Sequence, residues 1–309
     1  MILVTGGTGF IGQALVRYLV TSGYQVRTLI RPTKTSPALP RGVAVDVTLC
    51  SLKDERGLQT AMSGVDTVFH LASSERYGNR ADLLSVDIQG TKNVAAAAAQ
   101  AGVRRIFYLS HLGSDRASAF PVLKAKAIAE NFIRSSGVDF TIFRSAVVFG
   151  PGDRFTTNFA LLLKAFPAIC LMPGDGSALL QPLWIDDLVA AMTWAMEDPS
   201  TGNQLFQVGG PEYLSFRQVM ELIMQATGTR RRLISISPVY LRAVTVFSEQ
   251  TFSRFPLSIF WLDYLALNRT SPTDTLPRQF GLLPSSMAQR LAYLTSRDLK
   301  KDLARQLAS

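Results

Sequence analysis

Four closely spaced glycines follow the first short apolar run of the chain, in the stretch TGGTGFIG over residues 5–12. They contain the pattern G-x-G-x-x-G between a predicted strand at 2–5 and a predicted helix at 11–22. In that context glycine permits a tight turn, close approach of the backbone to phosphates, and close packing of helix on strand. The helix N-terminus adds aligned N–H donors. The pattern therefore predicts a dinucleotide-binding loop formed by Gly6, Gly7, Thr8, Gly9, Phe10, Ile11 and Gly12.

The residues that follow indicate which dinucleotide is bound. A carboxylate at the end of the second strand is typical of NAD(H) binding, yet no Asp or Glu occurs between Gln13 and Val45. Arg31 stands at that strand end and Lys34 lies close by, and a guanidinium suits a 2′-phosphate. NADP(H) is therefore favoured over NAD(H), although Lys34 is equally explained as a solvated surface charge.

The third predicted strand brings a further polar group towards the adenosine. Asp46 is predicted to end this strand, next to Val47, and its carboxylate would accept a hydrogen bond from the adenine amino group. An ordinary strand-end aspartate explains Asp46 equally well.

Strands and helices alternate through the first half of the chain. Strands are predicted at 2–5, 25–30, 43–46, 67–71, 105–110 and 139–143, and helices at 11–22, 53–62, 81–101 and 122–136. The alternation predicts an α/β protein with a Rossmann-like, doubly wound parallel sheet and a smaller, mostly helical C-terminal substrate lobe. We expect residues 1–150 to form the dinucleotide-binding domain, with strands returning to it from 180–210, and 151–309 to form the substrate or partner lobe.

Seven stretches resemble the extended short-chain dehydrogenase/reductases (epimerase/dehydratase-like) in order and spacing. They are TGGTGFIG, VDV (45–47), HLAS (70–73), VDIQGTKNV (86–94), TIFRSAVVFGPGD (141–153), PLWIDDLVAAM (182–192) and FQVGGPEYLSF (206–216). The resemblance covers about residues 1–225 and is closest to the atypical branch with the complex I accessory subunit and quinone-linked proteins. It implies that Leu71, Ala72 and Ser73 line the cofactor cleft.

The resemblance also implies catalytic positions, one of which has changed. The family uses a serine, a tyrosine and a lysine, and Ser110 and Lys126 match the first and the last. Lys126 is then also expected to hold the nicotinamide ribose. The tyrosine belongs one helical turn before the lysine, where both side chains share a helix face, and that position holds Val122. Valine carries no proton to transfer.

Three interpretations of Val122 remain open. The protein binds its cofactor with little or no tyrosine-dependent hydride transfer; or His111 or Tyr77 replaces the tyrosine; or the ribose lysine is Lys124, which places Phe120 at the tyrosine position. Imidazole suits acid–base chemistry near neutral pH. With two histidines in the whole chain, no metal site is expected.

The C-terminal part differs in composition from the rest. Residues 230–309 contain 12 Lys or Arg against 5 Asp or Glu, which accounts for most of the net charge of +9. The basic residues alternate with an apolar stretch over 235–267. This combination suits an anionic membrane surface, a protein complex, or the wall of a pocket for a lipophilic substrate or quinone; a buried helical lobe with solvated charges explains it too. No nucleic-acid-binding motif accompanies the charge.

The remaining features concern location and function. Two distant cysteines, a first strand starting at Ile2 and no apolar run of about 18 residues favour a cytoplasmic protein, peripheral on the inner face of a membrane if it is membrane-bound at all. Two functions fit the sequence. One is an accessory or scaffold protein that holds NADP(H) in a quinone or membrane system. The other is an active NADP(H)-dependent reductase, epimerase or dehydratase with a substituted proton donor.

Overall fold

A seven-stranded parallel sheet forms the centre of the protein. The computed structural model describes residues 1–32, 39–40, 42–166, 168–251 and 258–295. The strands are β1 (Ile2–Thr5), β2 (Val26–Ile30), β3 (Asp46–Leu49), β4 (Thr67–His70), β5 (Arg105–His111), β6 (Asp139–Ser145) and β11 (Gln204–Val208). Their order in the sheet is β3-β2-β1-β4-β5-β6-β11, and every neighbouring pair is parallel. The predicted α/β class with a doubly wound parallel sheet is confirmed.

Helices cover both faces of this sheet. Alternate strand residues point to opposite faces, so Val4 and Phe107 belong to one apolar cluster while Leu3 and Ile106 belong to the other. The first cluster includes residues of α1 (Phe10–Thr21), α5 (Phe155–Ala165), α6 (Ile185–Glu197) and α7 (Phe216–Thr227). The second includes residues of α2 (Glu55–Ala61), α3 (Gly90–Gln100) and α4 (Pro121–Arg134).

The later part of the chain adds short strand pairs and helices at the carboxyl ends of the strands. The pairs join β7 (Val148–Phe149) to β10 (Leu183–Trp184), β9 (Leu179–Leu180) to β12 (Leu214–Ser215), and β8 (Ile169–Pro173) to β13 (Arg232–Ile236). The helices are α8 (Pro238–Thr251), α9 (Ile259–Tyr264), α10 (Thr275–Phe280) and α11 (Met287–Arg290). In the described parts of the chain, no helix has both the length and the apolarity to cross a membrane.

Two predicted elements are placed differently. The third strand, predicted at 43–46, runs over Asp46–Leu49, because Asp46 pairs with Arg27 in the β2–β3 register. The helix predicted at 81–101 begins as a π-helix over Leu83–Gln89 and becomes α-helical at Gly90. In the π-helical segment the carboxylate of Asp87 faces the interior, where it accepts hydrogen bonds from Ser73 and Ser74.

A buried carboxylate ties the end of the chain to the middle. Asp153 accepts hydrogen bonds from the amides of Gly150 (2.9 Å) and Thr156 (2.7 Å), and so caps the start of α5. The hydroxyl of Tyr293 donates to the same carboxylate at 2.7 Å. A second tie runs from the Ser285 amide to Asp187 at 2.7 Å. Residues 285 and 293 are therefore held to α6 and to the start of α5 by specific hydrogen bonds.

One histidine lies in the centre of the sheet. His70 is fully buried at the end of β4, with Nδ1 2.6 Å from Thr5 Oγ1 and Nε2 2.9 Å from Thr91 Oγ1. Burial, with a smaller contribution from the positive charge of Lys126, lowers the pKa of His70 to about 3. This histidine is therefore neutral at physiological pH and serves as a structural bridge.

The low pKa of His70 makes stability depend on pH. As pH falls from 7 to 5 the unfolded chain protonates this histidine and the folded chain does not, so this group should contribute a loss of about 2 kcal/mol of unfolding free energy. His70→Gln should remove that part of the loss. Urea unfolding of both proteins at pH 7 and pH 5 measures the difference, and an unchanged pH dependence in the variant would contradict the assignment.

Candidate active site

The glycine loop has the shape needed to receive phosphates. Gly6 has a φ of +75°, and a Cβ built there would lie 2.7 Å from the backbone nitrogen of Ala72. A Cβ on Gly12 would lie 2.2 Å from the Gly6 carbonyl oxygen. Because neither position accepts a side chain, α1 starts directly against the loop, with its N-terminal amides beside it, and residues 71–73 lie along its other side.

Arg31 follows β2, and an ion pair joins β2 to β3. Arg31 is exposed immediately after β2. Asp46 is engaged by Arg27, whose Nε lies 2.7 Å from its carboxylate and whose guanidinium also donates to the carbonyls of Ala61 and Ser63. Asp46 therefore begins β3 in an ion pair rather than ending a strand with a free carboxylate. Val47 is partly exposed beside it, and Lys34 lies outside the described residues.

The ammonium group of Lys126 is enclosed by two carboxylates. Its Nζ lies 3.6 Å from Glu75 Oε2, 3.8 Å from Asp87 Oδ1 and 3.4 Å from the Leu109 carbonyl oxygen. Lys126 is buried, whereas Lys124 is exposed. Lys126, and not Lys124, thus lies against the end of β5. This position favours Lys126 over Lys124 as the lysine that matches the family, with Val122 rather than Phe120 at the tyrosine position.

Charge pairing sets the protonation of this cluster. Burial alone would lower the pKa of Lys126, but neighbouring Tyr108, Glu75 and Asp87 outweigh it and raise that pKa above its ordinary value. Burial would likewise raise the pKa of Glu75, but His111 and Lys126 together hold it well below its usual range. Lys126 and Glu75 are therefore both charged at neutral pH.

His111 extends the cluster towards the C-terminal lobe. Its Nε2 lies 2.9 Å from Glu75 Oε2, while Nδ1 is buried and has no hydrogen-bond partner among the described residues. Its ring packs against Phe260 and Tyr264 of α9, with centroid distances of 5.8 and 6.1 Å. The Tyr264 side chain is itself buried, and its hydroxyl makes no hydrogen bond of good geometry within the described chain. The imidazole of His111 and the phenol of Tyr264 are therefore neighbours, and Phe260 packs against both. We call Phe260 and Tyr264 the aromatic wall.

Ser110 is occupied by a structural network. Its hydroxyl donates to Glu130 at 2.6 Å and lies 3.0 Å from the hydroxyl of Ser114. Arg144 binds Glu130 through two hydrogen bonds of 2.9 and 2.7 Å. With the serine buried and its hydroxyl committed to a carboxylate, the arrangement explains Ser110 as part of a β5–α4–β6 connection.

The remaining predicted residues are distributed around this cluster. Val122 is half-buried on α4, one turn before Lys126. Tyr77 lies in the 3₁₀ turn Glu75–Arg80 with part of its side chain exposed. Ser73 lies within hydrogen-bond distance of both Asp87 and Glu75, so the loop after β4 is joined to the lysine cluster.

Three residues of the site were not found from the sequence. Glu130 is four residues after Lys126, and the same helical spacing that indicates Val122 also indicates this glutamate. Glu75 follows the HLAS stretch by two residues, which is a weaker local signal. Tyr264 comes from a distant helix, and nothing in the local sequence pairs it with His111.

These features define a Rossmann-fold protein of the short-chain dehydrogenase/reductase type. The chain belongs to the NmrA-like family, whose profile matches residues 1–263. It is 28% identical to the sterol demethylase protein B of Methylococcus capsulatus, over 92% of this chain and 94% of that protein.

Two further similarities point to a complex I subunit and a quinone oxidoreductase. The mitochondrial NADH dehydrogenase [ubiquinone] 1 alpha subcomplex subunit 9 of Arabidopsis thaliana is 26% identical, over 88% of this chain and 70% of that protein. The NADPH-dependent quinone oxidoreductase of Escherichia coli, solved with NADPH, superimposes with a TM-score of 0.74 at 20% identity, covering 95% of this chain and 99% of that one. The predicted resemblance to the short-chain dehydrogenase/reductases is thereby confirmed.

Removing one carboxylate tests the lysine cluster. Glu75→Gln leaves Lys126 with Asp87 alone and takes the anion from His111, so we expect the unfolding free energy to fall by about 2–3 kcal/mol. Glu55→Gln, at an exposed position on α2, is the matched control and should change it by less than about 0.5 kcal/mol. Urea denaturation at pH 7 measures the unfolding free energy of both variants. Equal losses in the two variants would show that the ion pairs of Glu75 do not stabilise the fold.

Proposed function

We propose that this protein binds NADP(H) and holds it as an accessory or scaffold component of a quinone-linked or membrane-linked system. The observation that carries the proposal is the enclosure of Lys126 between Glu75 and Asp87, next to a valine at the position of the family tyrosine. The glycine loop supports dinucleotide binding, whereas Val122 carries no proton to transfer.

The local chemistry supports holding over turnover. In the family, the lysine lowers the pKa of the neighbouring tyrosine phenol. Val122 has no phenol, so Lys126 cannot act in this way on that position. The ammonium group is already neutralised by two carboxylates, and the Ser110 hydroxyl is committed to Glu130. The similarity to a complex I subunit supports such a role, whereas the similarity to a quinone oxidoreductase supports only the link to quinones.

The cofactor preference rests on Arg31. Removing its guanidinium should weaken NADPH binding by about 10–100-fold, which corresponds to about 1.5–3 kcal/mol for a hydrogen bond to a charged group, and should leave NADH binding nearly unchanged. Arg17→Ala, at an exposed arginine on α1, is the control. Titration by nucleotide fluorescence measures each dissociation constant. A parent protein that binds NADH more tightly than NADPH would overturn the preference.

A second function is favoured by His111. With Nε2 next to Glu75 and Nδ1 without a partner among the described residues, this imidazole is the candidate proton donor to a ligand oxygen. Bound NADPH would supply the hydride to a carbonyl carbon, and His111 would supply the proton to the carbonyl oxygen, which would leave an alcohol and NADP⁺. The aromatic wall of Phe260 and Tyr264 suits a lipophilic carbonyl substrate. This alternative is an NADP(H)-dependent reductase.

Turnover separates the two functions. We expect the bound NADPH to stay reduced when quinones, ketones and aldehydes are added, as followed by its fluorescence. The reductase alternative requires oxidation with matching product, lost in His111→Gln while NADPH affinity is kept. Ser110→Ala tests the family serine in the same assay. Multiple turnovers that either variant abolishes would end the scaffold proposal.

A further inference from the structure

The outer face of α8 is unusually apolar for an exposed surface. Val239, Tyr240, Val244 and Phe247 are 74%, 70%, 54% and 69% exposed. The opposite face buries Leu241, Thr245, Ser248 and Glu249. A shallow groove runs along the outer face beside Val246 and Phe247. Contiguous exposed apolar side chains of this size mark an interaction surface.

The orientation of α8 is fixed by polar contacts on its inner side. The Glu249 carboxylate accepts hydrogen bonds from the amides of Asn79 (3.2 Å) and Ile259 (3.1 Å), and Arg80 donates to the Gln250 carbonyl at 3.0 Å. Rotating the helix to bury its apolar face would break these bonds. The outward direction of Val244 and Phe247 is therefore a property of the fold.

Apolar side chains are also exposed on the strand pair that precedes α8 in the chain. Ile169 and Leu171 of β8 are exposed, as is Ile234 of β13, which lies directly opposite Leu171 in the parallel register. Ser237 alone separates β13 from α8. Phe166, at the end of α5, is exposed as well.

Basic side chains accompany this surface. Lys164, Arg230 and Arg232 are exposed. Arg231 donates through Nε to the carbonyls of Leu163 (2.8 Å) and Phe166 (2.9 Å), which fixes residues 230–232 beside the end of α5. In the sequence of residues 164–173 and 230–251 the one carboxylate is Glu249, which is buried. The exposed side chains of these segments are therefore mainly apolar and basic, and the Arg242 side chain of α8 is paired with Asp263.

We propose that this surface, formed by the outer face of α8, the exposed side of β8–β13 and the basic residues around them, docks on an anionic lipid bilayer. Aromatic and branched side chains would enter the interface while arginine and lysine bind lipid headgroups. This deepens the membrane-linked role proposed above by naming the face that makes the contact. A two-fold dimer through the same face would bring both arginine clusters together, and like charges oppose that arrangement.

Vesicle flotation tests the proposal with the full-length protein loaded with NADPH. We expect flotation with phosphatidylcholine vesicles that contain phosphatidylglycerol, little with phosphatidylcholine alone, and weaker binding at high salt. Val244→Ser with Phe247→Ser should lower the partition coefficient at least tenfold, and Arg230→Gln with Arg232→Gln should lower it for anionic vesicles. Leu283→Ser, at an apolar residue that is 84% exposed elsewhere, is the matched control and should leave it unchanged.

Three outcomes would overturn the proposal. They are no flotation at low salt, equal flotation with neutral vesicles, and a dimer in sedimentation velocity that the Val244/Phe247 variant disperses. NADPH affinity is measured on the same preparations. Intact affinity without flotation removes the docking surface alone, whereas loss of affinity in the parent protein removes the cofactor-holding function.

Discussion

The burial of a single ammonium group governs the site. Because Lys126 is buried, its positive charge needs compensation by negative charge. Glu75 and Asp87 supply that charge from two segments that follow β4. The π-helical turn at 83–89 and the 3₁₀ turn at 75–80 are the backbone forms that carry those carboxylates inward. Burial is the main cause of the low pKa of His70, and the charge of Lys126 adds to it. Together with His111, the same charge holds the pKa of Glu75 below its ordinary range.

This arrangement also links the lysine cluster to helices α8 and α9. Glu75 joins Lys126 to His111, and His111 packs on α9. The turn that contains Glu75 also donates two hydrogen bonds to α8, from the Asn79 amide to Glu249 and from Arg80 to the Gln250 carbonyl. The short turn Glu75–Arg80 is therefore shared by the lysine cluster and by α8.

The sequence predicts what local chemistry determines. Glycine spacing gives the phosphate loop, and strand–helix alternation gives the parallel sheet, because both depend on neighbours along the chain. Asp46 was placed at the end of a strand and instead begins one, since its pairing with Arg27 depends on the sheet register. Glu75 and Tyr264 were missed because their roles depend on folding across 36 and more than 100 residues. A local sequence pattern does not predict which polar groups pair when they are far apart in the chain.

The hydrogen bond from Tyr293 to Asp153 has a consequence for biosynthesis. The two residues are 140 positions apart, so the tyrosine is translated long after the aspartate. Until it arrives, the carboxylate at the start of α5 lacks one of its donors, and the edge of the nascent domain stays incomplete. The N-terminal strands begin to fold first during synthesis, whereas this contact waits until residue 293 has been translated. Chains released before that residue would therefore lack the hydrogen bond that joins residue 293 to the start of α5.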